Sequence, residues 1–384
     1  MEELILGELT ERKIGYGIVQ PGESTIGGVP VIKVNNIISG LNSIQDLDTT
    51  HPENDQKYRK TRLNGGEIII SVVGTIGKTA IVPMDFKGCN LVRATALIDI
   101  KDPILSRWVK YYIDSPKGQS YINGNLNTTV QPTLNIKSLV EMPIPFYGWE
   151  YAEKVVAILS KIDDKIENNR KINDNLEQQA QALYKSWFVD FEPFKDGKFI
   201  DSELGLIPEG WRVGELSEIT NITSGKRPIT KSDYPTSIDK VPVFGASGIM
   251  AYTTDKLYDI PILIIGRVGT LGIVQKIDSE SWPSDNTLVI LSKNYHFVYF
   301  NLKSIDYQAI NRGSTQPLIT QSDIKQQMIL IPQDEVLMKF EETVNILDKV
   351  IKNNNKAIKD LEVLRDTLLP KLMSGELKIN EIDC

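Results

Sequence analysis

Two long segments of the chain carry their apolar residues in strictly alternating steps of four and three. In the first, positions 155, 159, 162, 166, 169, 173, 176, 180, 183 and 187 hold Val, Leu, Ile, Ile, Asn, Asn, Leu, Ala, Leu and Trp. In the second, Phe340, Val344, Leu347, Ile351, Asn354, Ile358, Leu361, Arg365, Leu368 and Leu372 repeat the spacing. A period of 3.5 residues is the seam of a coiled coil, narrower than the apolar face of an ordinary surface helix. Both seams place an asparagine at the equivalent point, Asn169 and Asn354. These two are expected to meet, because one buried Asn–Asn contact fixes register at some loss of stability. Helices related by a pseudo-twofold axis pair antiparallel, so a run of about 30 to 38 residues forms a rod roughly 45 to 57 Å long with a domain at each end. The alternative is two unrelated amphipathic helices, each packed on its own domain.

Outside these segments the pattern changes to short β-branched runs such as "EIIISVVG" (67–74) and "PILIIGRVG" (261–269), broken by Gly, Pro and Asn. Strong helical periodicity is confined to stretches like "SRWVKYYIDS" (106–115). This predicts α+β domains rich in irregular strands. The run "IKVNNI" (32–37) reads as a strand, with Lys33 and Asn35 on one side and Asn36 on the other.

The chain also repeats itself. "LGELTE" (6–11) matches "VGELSE" (213–218), "VPVI" (29–32) matches "VPVF" (241–244), and "TTVQPTLNIKSL" (128–139) matches "GSTQPLITQSDI" (313–324). From Gln131 and Gln316 onward the offset stays at 185 through both helical segments. The chain is therefore two copies of one unit, a mixed domain followed by a long helix.

Within that repeat, "VVGTIGKT" (72–79) has the Gly-Lys-Thr order of a phosphate-binding loop. Such a loop needs a further glycine five positions before Gly77, and Val72 stands there. The second copy, "RVGTLGIV" (267–274), has Ile273 in place of the lysine. Both stretches are read as tight turns between strands, not as nucleotide sites.

Composition narrows the function classes. With Cys89 and Cys384 as the only cysteines and His51 and His296 as the only histidines, no disulfide framework or zinc cluster can be built, and no metal or cofactor is expected. The start "MEELILGEL" is acidic where a secretory signal is basic, and no apolar run approaches the roughly 18 residues of a membrane span, so a cytoplasmic protein is expected. The net charge of -7 argues against a protein that coats nucleic acid. Residues 1–150 and 212–335 are nevertheless near neutral, with 15 basic and 16 acidic, and 12 basic and 13 acidic, side chains; the segment 151–211 holds 8 and 12. Sequence-specific DNA binding by the two domains remains compatible with this distribution.

The strings "SWFVDFEPF" (186–194), "SELGLIPEGW" (202–211), "QPTLNIKSL" (131–139) and "LLPKLMSGEL" (368–377), in this tandem order, strongly resemble the specificity subunit of type I restriction-modification systems. The resemblance covers essentially the whole chain. It implies a first target-recognition domain at 1–150, a conserved coiled-coil helix at 151–189, a linker at 190–211, a second recognition domain at 212–335, and a C-terminal helix and tail at 336–384. It further implies that each domain reads one half of a split, asymmetric site on double-stranded DNA. By the same resemblance the helices set the gap and dock modification (methyltransferase) subunits, two per specificity subunit, to which ATP-driven restriction subunits are added. The residues agree that chemistry belongs to those partners. There is no Pro-Pro of the Asn/Asp-Pro-Pro-aromatic loop that holds a target adenine, no complete phosphate loop, and only the isolated "ELK" (376–378) to suggest a nuclease. No catalytic residue is expected.

Candidate DNA contacts follow from residue chemistry, since Arg, Lys, Asn and Gln read base edges and Lys and Arg take phosphates. In the first domain these are Lys33, Asn35, the dense run Lys57, Arg59, Lys60 and Arg62, and also Lys78 and Arg93. In the second they are Lys226, Arg227, Arg267 and Arg312. Gln131 and Gln316 are read as turn formers. A competing function is a structural adaptor that binds proteins at both ends of the helical rod; phosphate neutralisation makes log K fall with log salt, whereas protein docking need not.

Overall fold

The computed structural model describes residues 2–41, 43–127 and 131–377. Residues 128–130 of the first Gln-Pro segment, Lys378 and Cys384 lie outside them. Contacts divide the chain into two units, one of residues 1–168 with 357–384 and the other of residues 169–356.

In the first unit a four-stranded antiparallel sheet runs in the order Arg12–Tyr16, Thr95–Asp99, Ile68–Ser71, Thr79–Ile81. A smaller sheet places Val29–Ile32 between Asp48–Thr50 and Asn90–Leu91. The unbroken apolar run at 68–70 is explained by burial on both faces of its strand. Ile68 and Ile70 pack with Trp108 and Leu139, while Ile69 packs with Phe86 and Leu97. The helix Pro103–Asp114 starts at Asp102, whose carboxylate accepts the Leu105 N–H at 2.8 Å.

The second unit repeats this topology strand for strand. Its larger sheet runs Asn221–Ser224, Thr287–Leu291, Ile262–Gly266, Val274–Ile277, and its smaller one places Val241–Gly245 between Gly248–Thr253 and Trp282–Pro283. The helix Tyr295–Ser304 is fastened to the second long helix by Glu341, which accepts the N–H groups of His296 and Phe297 at 3.1 and 2.8 Å. The His296 ring lies between two carboxylates, with Nδ1 2.9 Å from Glu341 and Nε2 3.8 Å from Asp348. Burial favours the neutral ring, but Asp348 and Glu341 outweigh it and raise the His296 pKa. Asp348 is itself paired with Lys276 and Lys352.

Both long helices are 40 residues, Trp149–Phe188 and Asp334–Met373, and every seam position read from the sequence is buried or half-buried. In the first unit they run antiparallel. The Tyr151 hydroxyl donates to the carbonyls of Leu372 and Leu377, and Asp163 accepts from the seam residue Arg365 at 3.2 Å and from the Tyr111 hydroxyl at 2.8 Å. Within the second unit they are again antiparallel, with Tyr184, Trp187 and Phe188 packed on Phe340. The asparagine contact found there differs from the expected one. Asn354 donates to Asn173 at 2.9 Å, and Asn173 donates to Asn355 at 2.9 Å, while Asn169 is buried one turn away. In an antiparallel pair, repeat-equivalent positions face each other only on the twofold axis itself. Asn169 and Asn354 are four residues, about one turn, out of register in this pair, which redirects Asn354 to the neighbouring seam asparagine, Asn173.

One further expectation is corrected. The strand at Val29–Ile32 ends before Lys33, and Val34–Ser39 is helical, so Lys33 and Asn35 do not share a strand face. The cause is local, because the Asn36 side chain accepts the Lys33 N–H at 2.7 Å and turns the chain into a helical first turn. The segment 190–211 contains a hairpin, Phe199–Ser202 with Gly205–Pro208, and its Phe191, Phe194 and Trp211 rings pack together. Trp211 reaches Phe188 of the long helix at 5.8 Å between centroids.

Candidate nucleic-acid interface

The glycine turns lie at one edge of each larger sheet and are turns in fact. Residues 72–78 join two antiparallel strands with Gly74 and Gly77 at φ 78° and 82°, and residues 267–273 do the same with Gly269 and Gly272 at 82° and 83°. Side chains rarely adopt these dihedrals, which accounts for both glycine pairs without a phosphate.

Around each turn the backbone builds a frame of equivalent hydrogen bonds. In the first unit, Gly17 donates to Thr95 O, Ile18 to Leu91 O, Val92 to Ile32 O, Val72 to Ala94 O and Leu134 to Val72 O, at 2.6 to 3.2 Å. In the second, Gly225 donates to Thr287 O, Lys226 to Pro283 O, Ser284 to Phe244 O, Arg267 to Asn286 O and Ile319 to Arg267 O, at 2.9 to 3.0 Å. Glycine is needed where the frame closes: a Cβ on Gly17 would stand 2.1 Å from Leu91 O, and one on Gly225 2.2 Å from Ser284 O. At the centre of each frame is a four-residue turn, Val92–Thr95 or Ser284–Thr287. The last threonine returns both its N–H and its hydroxyl to the first carbonyl, at 2.9 and 2.8 Å in one unit and 3.0 and 2.7 Å in the other.

This frame aligns the units residue by residue. Val72 is equivalent to Arg267, Ile18 to Lys226, Val92 to Ser284, Arg93 to Asp285 and Ala94 to Asn286. The two middle residues of each central turn are thus Arg93, exposed, and Ala94, half-buried, in one unit and Asp285 and Asn286, both exposed, in the other. One bond is not repeated: Ile18 O accepts from Arg93 N–H at 2.8 Å, whereas Lys226 O accepts from the Trp282 indole at 2.7 Å.

Of the residues singled out from sequence, the frame gathers Arg93 and Lys78 in the first unit and Lys226, Arg227 and Arg267 in the second. Lys33 follows Ile32, the acceptor for Val92, and its ammonium pairs with Asp48 at 2.5 Å; Asn35 is exposed on the short helix beside it. Lys57, Arg59 and Lys60 are exposed, on a helical segment tied down through Tyr58 O, which accepts from Asn90 at 3.2 Å. Arg62 is different in kind. Its guanidinium is bonded to buried Asp55, which also accepts from Asn90. Arg312 likewise forks onto Asp323, the residue that caps the Gln321–Lys325 turn through Thr320. Burial alone would raise the Asp323 pKa, but the Arg312 and Thr320 bonds outweigh it and hold the carboxyl below its ordinary value.

Sequence reading missed Ser284, Asp285 and Asn286. A comparison of "LVRAT" (91–95) with "PSDNT" (283–287) would have found them, since both run into an apolar strand through the same threonine.

Among the described residues no helix is long and apolar enough to cross a membrane. Residues 3–178 and 208–363 match the family model of the type I restriction modification DNA specificity domain. The type I restriction enzyme MjaIX specificity subunit of Methanocaldococcus jannaschii is 32% identical over 311 residues, which is 73% of this chain and 71% of that protein. The HindI specificity subunit of Haemophilus influenzae is 25% identical over 328 residues, 64% of this chain and 71% of the relative. The solved structure of the type I restriction-modification S subunit from M. genitalium shares the fold, with a TM-score of 0.57 at 17% identity over 97% of this chain and 95% of that one. With two tandem copies of the matched domain and the same fold in each unit, the chain belongs to the family of type I restriction-modification DNA specificity subunits.

Proposed function

We propose that the chain reads a bipartite, asymmetric sequence on double-stranded DNA, residues 1–150 taking one half and residues 212–335 the other. The single observation that carries this reading is the pair of repeated frames, which share all but one of their backbone bonds but carry different side chains at equivalent positions. Two copies of one scaffold with unlike chemistry at equivalent positions suit two unlike half-sites. The chain performs no covalent step in this reading. Two modification subunits transfer the methyl group to adenine, restriction subunits cleave, and the helices serve as their docking surface. Lys57, Arg59 and Lys60 contact phosphates, and the residues at the frames contact the bases and the sugar-phosphate path beside them.

The test is an exchange of residues 212–335 for the corresponding segment of another family member, in the complex with its modification subunits, followed by genome-wide mapping of methylated adenines. One half of the methylated motif changes and the other stays. A change in both halves, or in neither, overturns the reading. A protein-binding adaptor would instead give no methylation motif that depends on this segment.

A further inference from the structure

We propose that the exposed tips of the two equivalent turns determine base specificity, Arg93 reading a guanine edge in one half-site and Asn286 an adenine edge in the other. The inference rests on the two-half reading above.

The tips are the positions where the frame changes chemistry while its geometry is held. Each is pinned by its own threonine and by the first residue of the glycine turn, Val72 or Arg267. A reading side chain needs such a fixed base, because a displacement near 1 Å is enough to lose a bidentate contact. Both side chains are exposed, and neither Arg93 nor Asn286 has a side-chain hydrogen bond or ion pair among the described residues. They contrast with Arg62 and Arg312, whose forks are occupied by Asp55 and Asp323.

Charge separates base reading from phosphate binding at the second tip. Asp285 lies next to Asn286, and a carboxylate repels the phosphate backbone. An amide beside a carboxylate matches base-edge chemistry, since Asn pairs with adenine N6 and N7 and Asp accepts from cytosine N4. Backbone bonds hold Lys226 and Arg267 next to this tip, and the exposed Lys226 and Arg227 are the cations available to phosphates beside it. The same frame also holds unspent bonding capacity. Arg267 Nε and the hydroxyl of Ser284, a residue only 2% exposed, are enclosed without a hydrogen-bond partner among the described residues. In the first unit Val72 and Val92 occupy those two places, so Arg93 reaches out from an apolar base. An arginine there is suited to guanine O6 and N7.

Arg93→Ala and Asn286→Ala, each in the full complex with its modification subunits, test the proposal by methylome mapping and by salt-titrated binding. Arg93→Ala should relax one guanine position in the half-site read by residues 1–150, with discrimination there falling roughly 5- to 150-fold and the salt slope unchanged. Asn286→Ala should relax one A·T position in the other half-site. Hydrogen exchange at the Thr95 and Thr287 amides verifies that each frame is intact. Uniform weakening on all sequences, with a slope smaller by about 0.9, would make the residue a phosphate contact and overturn the inference. An unchanged motif would also overturn it. A wild-type complex lacking any bipartite motif would instead remove the two-half reading, and this inference with it.

Discussion

The two glycine turns differ in a way that separates scaffold from reader. In the first unit the turn begins at buried Val72 and ends at exposed Lys78; in the second it begins at Arg267 and ends at Ile273. The charged position has moved from one end to the other, yet the first residues of the turns, Val72 and Arg267, donate and receive equivalent backbone bonds. Backbone groups in such an edge must be paired whatever the ligand is, so the frame is under the same physical demand in both copies. Side chains at its rim carry no such demand, and they can be rewritten without disturbing the strands behind them.

This comparison can be broken most sharply at the closing glycines. Gly225→Val brings a side chain into Pro283 O and Ser284 O, and Gly17→Val into Leu91 O, so each should destabilise its own unit by about 1–3 kcal/mol or more. Hydrogen exchange resolved by residue is the measurement, and loss of protection confined to one sheet per variant is the expected result. Equal loss in both sheets would mean that the frames are not independent.

Next in size is Asp323→Ala, which should cost about 1–3 kcal/mol by leaving the Thr320 amide and the Arg312 guanidinium without their acceptor. Denaturant unfolding measures it. Arg62→Ala should resemble it in unfolding more than it resembles the surface variants in DNA binding, because its partner Asp55 is buried.

A smaller effect separates the units by pH. The raised His296 pKa means that its ion pairs contribute stability fully below the ordinary value of 6.5 and lose it as pH rises through the folded-state value. The described histidine of the first unit, His51, is exposed. Thermal unfolding between pH 6 and 9 should therefore show a decline in the second unit that His296→Gln flattens. A decline that persists in the variant would assign the pH dependence to another group.

The smallest expected change is in the salt dependence of DNA binding. Charge reversal at Lys57, Arg59 and Lys60 should lower the slope of log K against log salt by up to about 0.9 for each phosphate no longer neutralised, and leave the motif unchanged. A slope equal to that of the wild type would take this run out of the interface.

The periodic parts of the molecule were legible because burial enforces them. The ten-residue seams, the strand runs at 68–70 and 262–265 and the glycine turns all stand where the pattern put them. The parts that escaped depend on contacts between distant residues. A basic run looks uniform in sequence, yet Arg62 within it is committed to Asp55 while Lys57, Arg59 and Lys60 are exposed. The equivalence of Arg93 and Asp285 was hidden by loops of unequal length. Their offset is 192, against 212 for Val31 and Val243 and 185 for Gln131 and Gln316, so no single sliding register reveals it. The helical turn after Lys33 was missed because a single side-chain acceptor, Asn36, overrides an alternating pattern of only six residues.

The uneven division of the chain also orders its making. The second unit is one uninterrupted run, 169–356, whereas the first joins 1–168 to 357–384. On a ribosome adding roughly 5–20 residues per second, all of the second unit is translated while the first still lacks a piece of itself, an interval of roughly ten to forty seconds. The missing piece supplies Leu369, Leu372 and Met373 to the first core, and the carbonyls that the Tyr151 hydroxyl bonds. Birth order and completion order are inverted. A premature stop shortly after residue 356 would therefore damage the older half of the protein and spare the younger.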